Sequence, residues 1–116
     1  GIRDYKVTGV QTCALPIYGL QYCEPGISAA ATAIPGAVIA GHMDGRLRAY
    51  DRETGKVLWE TDTRQPFATV NGVSASGGSM GGGAGPVVQQ GRLLMNSGYG
   101  VYYHLPGNVL LVYAPE

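Results

Sequence analysis

Polar side chains that could meet a ligand gather in the second half of this chain. Asn96, Ser97 and Tyr99 lie within Asn96-Ser97-Gly98-Tyr99-Gly100, at the end of an apolar run, and offer an amide, a hydroxyl and a phenol close together. Asn71 sits in Thr69-Val70-Asn71-Gly72-Val73, where it reads either as a plain turn residue or as a ligand contact. The stretch Gly77-Gly78-Ser79-Met80-Gly81-Gly82-Gly83 follows and runs into Gly85-Pro86-Val87-Val88. Glycines there let backbone amides approach a ligand, and equally let one segment cross another at close range. A nucleotide-type phosphate loop is excluded, because the Lys-Ser/Thr pair and a following helix are both missing.

The remaining reactive types carry less. His42 has no second His or Cys at ligand spacing, so no metal site is read from it. His104, among Tyr102, Tyr103 and Leu105, is either a substrate-side residue or an idle one in an exposed loop. Asp44, Asp51, Glu53, Glu60 and Asp62 fall in turns or beside strand ends, and read as turn caps or solvated charges rather than as a catalytic base. A Cys-x-x-Cys-His haem attachment is absent.

The elements that position these groups are short strands. Residues 43–59, MDGRLRAYDRETGKVLW, read as a hairpin in which Leu47, Ala49, Val57 and Trp59 are the apolar partners. Asp51 is expected to accept hydrogen bonds from its own turn, and Gly55 to take the left-handed conformation that turn needs. Trp59 presents an apolar face that one hairpin cannot bury alone, which implies stacking of similar units. Strands are predicted over residues 28–34, 37–42, 46–50 and 56–61, then 85–89, 92–97 and 108–113, with turns at Pro35-Gly36 and Gln90-Gly91. Residues 66–84 form a long Gly/Ser-rich connection between the two groups. The fold class is all-β, with no convincing helical period.

Bulk composition narrows the function classes. Eight basic and eight acidic residues leave a formal net charge of zero, which argues against a nucleic-acid partner. No apolar run is long enough for a membrane span. Residues 1–17 match the translation of a sequencing-library adapter, with Tyr5-Lys6 where a sample index falls. They are therefore expected to be non-native, with biological sequence starting at Tyr18. Setting them aside removes Cys13 and leaves Cys23, so cysteine usage identifies no redox compartment.

Ala49-x-Asp51-x-x-Thr54-Gly55-x-x-x-Trp59 resembles the tryptophan-docking motif of quinoprotein β-propellers, in which the tryptophan ties adjacent blades together. The order of residues 29–59, then 69–73, 85–88, 96–100 and 106–111, is similar to the C-terminal region of polyvinyl-alcohol dehydrogenase-like quinoproteins. Some relatives carry a tryptophan in the Ser-Gly-Trp-Gly-like turn where the chain has Ser97-Gly98-Tyr99-Gly100. Blades repeat every 40–50 residues or so, and a ring needs at least about four. The resemblance therefore implies that residues 18–116 are the last two blades of a PQQ-type β-propeller, a fragment of a ring of about eight. The third strand of the second blade, 108–113, would then either await an outer strand from the start of the parent protein or be followed by one lost to truncation.

The same resemblance implies a periplasmic enzyme that oxidises small or polymeric alcohols. Its cofactors would be PQQ and calcium, and its electron acceptor a cytochrome c. Asn71, Asn96, Ser97 and Tyr99 would be its cofactor-binding residues in this chain. The catalytic base and calcium ligands would lie in the missing blades, which count among its partners. The isolated chain is expected to be inactive and to fold poorly. The alternative is a non-catalytic scaffold of the outer-membrane assembly type, built from the same repeats.

Overall fold

The computed structural model describes residues 26–82, 84–100 and 104–115. The adapter-like segment, Tyr18, Cys13 and Cys23 lie outside the described residues. Nine strands form: β1 (Thr32–Ile34), β2 (Ala37–Gly41), β3 (Arg46–Asp51), β4 (Val57–Asp62), β5 (Pro66–Phe67), β6 (Ala75–Ser76), β7 (Val87–Gln89), β8 (Arg92–Ser97) and β9 (Val109–Tyr113). There is no helix among the described residues, and hence none long and apolar enough to cross a membrane.

Both large sheets are antiparallel meanders, in the orders β1-β2-β3-β4 and β7-β8-β9, with β5 and β6 a small separate pair. Turn chemistry sets their registers. At the β3–β4 turn, Asp51 Oδ1 accepts from the Glu53 and Thr54 N–H groups at 2.8 and 3.0 Å, and Gly55 is left-handed at φ 76°. Those amides also hold the Asp51 carboxyl below its usual range. At the β7–β8 turn, Gln90 and Gly91 both take positive φ, as a two-residue hairpin between twisted strands requires. A bulge lies between the Ala49–Trp59 and Tyr50–Val57 pairs, leaving Leu58 of β4 unmatched.

The predicted strands are present, with shorter starts. Residues 28–31 and 85–86 stay outside the strands, β2 stops at Gly41, and β3 and β4 each extend one residue further than expected. The long connection also contains the β5–β6 pair, which its composition concealed. Trp59 and Val57 are only partly covered, at 39% and 42% exposure.

Strand alternation divides the first sheet into an apolar and a charged face. Ile39, Leu47 and Ala49 point to one side, where they meet Met80 of the connection and Leu93, Met95 and Tyr113 of the second sheet. Ala75, Val109 and Leu111 extend this core, with Phe67 beside them. Innermost strands β1 and β7 run close together, joined by a hydrogen bond from the Thr32 hydroxyl to the Pro86 carbonyl. Two meanders stacked face to face, inner strand beside inner strand, match the arrangement of neighbouring blades in a partial β-propeller.

Candidate functional site

The meander order sends all the longer connections to one end. Short turns at residues 35–36, 51–56 and 90–91 close the opposite end, whereas residues 42–45, residues 63–82, and residues 98–100 and 104–108 of the third connection meet at the first. Between them runs Gly77-Gly78-Ser79-Met80, and every one of these residues is buried. Composition left open whether this stretch faces a ligand or is a structural crossing; for residues 77–80 it is a crossing. A Cβ on Gly77 would collide with the Thr63 carbonyl, and one on Gly78 with the Leu105 carbonyl, so only glycine fits the passage.

Backbone and hydroxyl hydrogen bonds bind the three loops together. The Met80 N–H donates to His42 O at 3.1 Å, Gly98 N–H to Ser79 O at 2.9 Å, and Ser79 N–H to Leu105 O at 2.8 Å. The Ser79 hydroxyl donates to Met43 O and accepts from Leu105 N–H. The Thr63 hydroxyl donates to Gly45 O at 2.7 Å and lies 2.7 Å from Ser97 Oγ, which in turn accepts from Gly78 N–H at 2.9 Å.

The four cofactor candidates are distributed over this end rather than gathered at one point. Ser97 is fully buried, and the bonds just described occupy its hydroxyl. Asn96, its neighbour in β8, points to the opposite face and is exposed. Tyr99 is 59% exposed in the loop beyond. Asn71 is exposed at the tip of residues 69–73, where its Oδ1 accepts from Val73 N–H at 3.2 Å and Gly72 is left-handed. That is the turn geometry expected of an Asn-Gly pair.

Sequence reasoning missed a charged layer on the other face of the first sheet. Arg48 and Asp44 are both fully buried and paired at 3.2 Å, and Arg48 Nε reaches Glu60 Oε2 at 2.6 Å. Asp44 also caps its turn, accepting from Arg46 N–H at 3.0 Å. Burial works against the Arg48 charge, but Asp44 and Glu60 outweigh it and raise its pKa. Arg46 reaches Glu60 and Asp62, and Arg64 holds Asp62 in two bonds, which lowers the Asp62 pKa. The register pairs Arg46 with Asp62 and Arg48 with Glu60, so alternation in RLR facing ETD was the available signal. His42, also fully buried, shares a 2.8 Å hydrogen bond with the Tyr50 hydroxyl. These acids are occupied by arginines, and no group of three or more His, Cys, Asp or Glu capable of holding a cation stands among the described residues.

His104 is the second residue whose placement was not legible. It is half-buried, and its imidazole lies against Gly81 and Gly100. Its Nδ1 is buried without a hydrogen-bond partner.

Comparison with known proteins identifies two relatives. The chain is 43% identical over 104 residues to a polyvinylalcohol dehydrogenase of Pseudomonas sp., covering 82% of this chain and 16% of that protein. It is 43% identical over 79 residues to the polyvinylalcohol dehydrogenase of Sphingopyxis sp. (strain 113P3), covering 67% of this chain and 12% of that protein. The chain thus spans less than a fifth of the length of the curated relatives it matches. No family model matches it, and no solved structure is significantly similar.

Proposed function

We infer that this chain belongs with the polyvinylalcohol dehydrogenases as a segment of a quinoprotein propeller, and propose that the whole protein oxidises alcohol groups. The identity to two dehydrogenases carries this reading. The stacked meanders with Trp59 between them support its propeller part. In this proposal residues 18–116 are two neighbouring blades, PQQ is the oxidant, a periplasmic cytochrome c takes the electrons, and the substrate is a secondary alcohol or polyol.

PQQ with calcium would supply the acceptor for the equivalent of a hydride, as quinone cofactors do. The described residues do not fit a calcium site, because Asp44, Glu60 and Asp62 are held by arginines. The calcium ligands and the catalytic base are therefore assigned to other blades. What this chain contributes is a wall. Residues 77–80 fix the three loops, Ser97 locks the end of β8 to Thr63, and Asn96, Tyr99 and Asn71 are the exposed polar groups left to face a cofactor or a neighbouring blade.

The test is dye-linked oxidation of a secondary alcohol by the full-length protein, with and without added PQQ and calcium. Turnover that requires both is expected. An intact, folded ring that binds neither and turns over nothing would overturn the proposal.

A further inference from the structure

Asn71 precedes a glycine at the tip of the connection between β5 and β6, and that tip is open to solvent. Asn71, Gly72 and Val73 are all exposed, and nothing stands within 4 Å of the position a Cβ would take on Gly72. The Gly72 N–H reaches Thr69 O only at 3.3 Å, longer than an ordinary amide hydrogen bond. The tip is closed instead by the Thr69 hydroxyl, which donates to Val73 O at 2.7 Å. The Val73 N–H donates to Asn71 Oδ1 at 3.2 Å, while Asn71 Nδ2 has no partner among the described residues.

This arrangement favours attack on the Asn71 carboxamide. The Val73 N–H draws electron density from Cγ and stands where negative charge gathers on Oδ1 when Cγ is attacked. The neighbouring nucleophile is the Gly72 nitrogen, and a glycine brings no side chain to obstruct its approach. The other two asparagines of the chain lack these conditions. Asn96 and the Ser97 that follows it both lie in β8, paired with Leu110 and Val109. Asn108 is held at both ends, Oδ1 accepting from Ser76 N–H at 3.0 Å and Nδ2 donating to Ser74 O at 3.1 Å. Asp44-Gly45 is the related acidic pair, but Asp44 is fully buried against Arg48.

We propose that Asn71-Gly72 is a self-modification site, where the folded chain converts Asn71 to aspartate and isoaspartate with water as the co-reactant. The Gly72 nitrogen loses its proton to hydroxide and bonds to Asn71 Cγ. The Cγ–Nδ2 bond breaks, and Nδ2 takes a proton from water and leaves as ammonia. Water then opens the resulting succinimide. Addition at Cγ leaves aspartate, and addition at the main-chain carbonyl leaves isoaspartate, with the backbone running through the former side chain. Nothing is oxidised or reduced. Either product places a carboxylate in residues 65–91, a stretch without a charged side chain. Isoaspartate also lengthens the tip by a methylene and breaks the Asn71–Val73 turn. The chemistry belongs to this loop and does not depend on the propeller or its cofactor.

The experiment incubates the full chain at mildly alkaline pH, in buffer and in urea, and maps its peptides by mass spectrometry. Labelling with an isoaspartyl methyltransferase distinguishes isoaspartate from aspartate. Asn71 is expected to convert at least as fast in buffer as in urea, while Asn96 and Asn108 stay intact in buffer. The rate should rise with pH, because the nucleophile is the deprotonated amide. G72A should lose most of the conversion, since its methyl group hinders ring closure. Trp59 fluorescence during urea unfolding shows whether that variant keeps the fold. Slower conversion in buffer than in urea would overturn the site, because the fold would then protect Asn71. So would conversion of Asn96 or Asn108 in buffer, a rate indifferent to pH, or an undiminished rate in G72A.

Discussion

Trp59 of β4 meets Tyr113 of β9 edge to face, with ring centroids 5.3 Å apart and planes at 75°. The two residues come from different sheets, and Thr61, two residues along β4 from the indole, lines the same cleft. This aromatic contact joins the outer strand of the first meander to the last strand of the second. The cleft between the sheets also includes Ile34, Ile39 and Leu93.

Trp59→Ala should loosen the two sheets from each other without unravelling either hairpin. Trp59 is partly exposed, so the loss is set below that of a fully buried tryptophan, at about 2 kcal/mol. Tyr113→Phe keeps the ring pair and removes only the hydroxyl, costing about 1 kcal/mol. Trp59 is the single tryptophan of the chain, so in Tyr113→Phe its fluorescence reports directly on the contact during urea unfolding. Equal loss in Tyr113→Phe and Tyr113→Ala would show that the aromatic pair contributes nothing.

Gly77→Ala and Gly98→Ala should be far more damaging than any surface change. A Cβ on Gly77 would run into the Thr63 carbonyl, and one on Gly98 into the backbone of Gly107, where Gly98 also has φ 97°. Backbone cannot move aside as a flexible side chain can, so both variants should lose cooperative unfolding altogether. Gly36→Ala is the control. It too has positive φ, but nothing stands within 4 Å of its Cβ position, and it should cost only about 1 kcal/mol. Circular dichroism melts of the three variants check the ranking.

The hairpins were legible because their signals are local. Asp51 and Gly55 announce a turn, and the alternation from Arg46 to Tyr50 announces a strand; both lie within a few residues of what they control. The crossing at residues 77–80 was not, because its glycines answer to Thr63 and Leu105, which are distant in sequence. Composition alone gives a linker and a buried crossing the same appearance. The charged layer failed for another reason. Asp44 does cap its turn, as its type suggests, but its second oxygen is buried against Arg48, four residues on, and only the β3–β4 register brings Glu60 to the same guanidinium. His104 had no visible partner in sequence, since the groups that seat it are the missing side chains of Gly81 and Gly100.

Asp44→Asn should cost more than replacing its partner by an apolar residue. Arg48 is fully buried, and its Nη1 already lacks a hydrogen-bond partner. Removing the Asp44 charge leaves the guanidinium with Glu60, which is partly exposed, and about 3 kcal/mol is expected to be lost. Arg48→Met removes the cation and fills its volume, so Arg48→Met combined with Asp44→Asn should recover part of that loss. A double-mutant cycle on denaturant midpoints measures the coupling, and additive losses would mean that the pair is not coupled.

Alkaline stability follows from the two half-buried tyrosines. Burial pushes the Tyr113 phenol above its ordinary value of 10.0, with the Thr61 side chain opposing in part. Burial does the same to Tyr50, where the Arg48 charge opposes it. An acid whose pKa is higher folded than unfolded releases its proton more easily from the unfolded chain. Its contribution to stability is therefore complete below pH 10.0 and is lost as the pH climbs toward the raised folded value. The chain should accordingly lose stability in alkali as Tyr50 and Tyr113 ionise. Tyr113→Phe removes one of these groups, so its stability should fall less steeply above pH 10.0 even though it is less stable at neutral pH. Urea midpoints measured on either side of that pH, with the tyrosinate absorbance followed in parallel, decide the matter. An equal slope in Tyr113→Phe and the parent chain would place the alkaline sensitivity elsewhere.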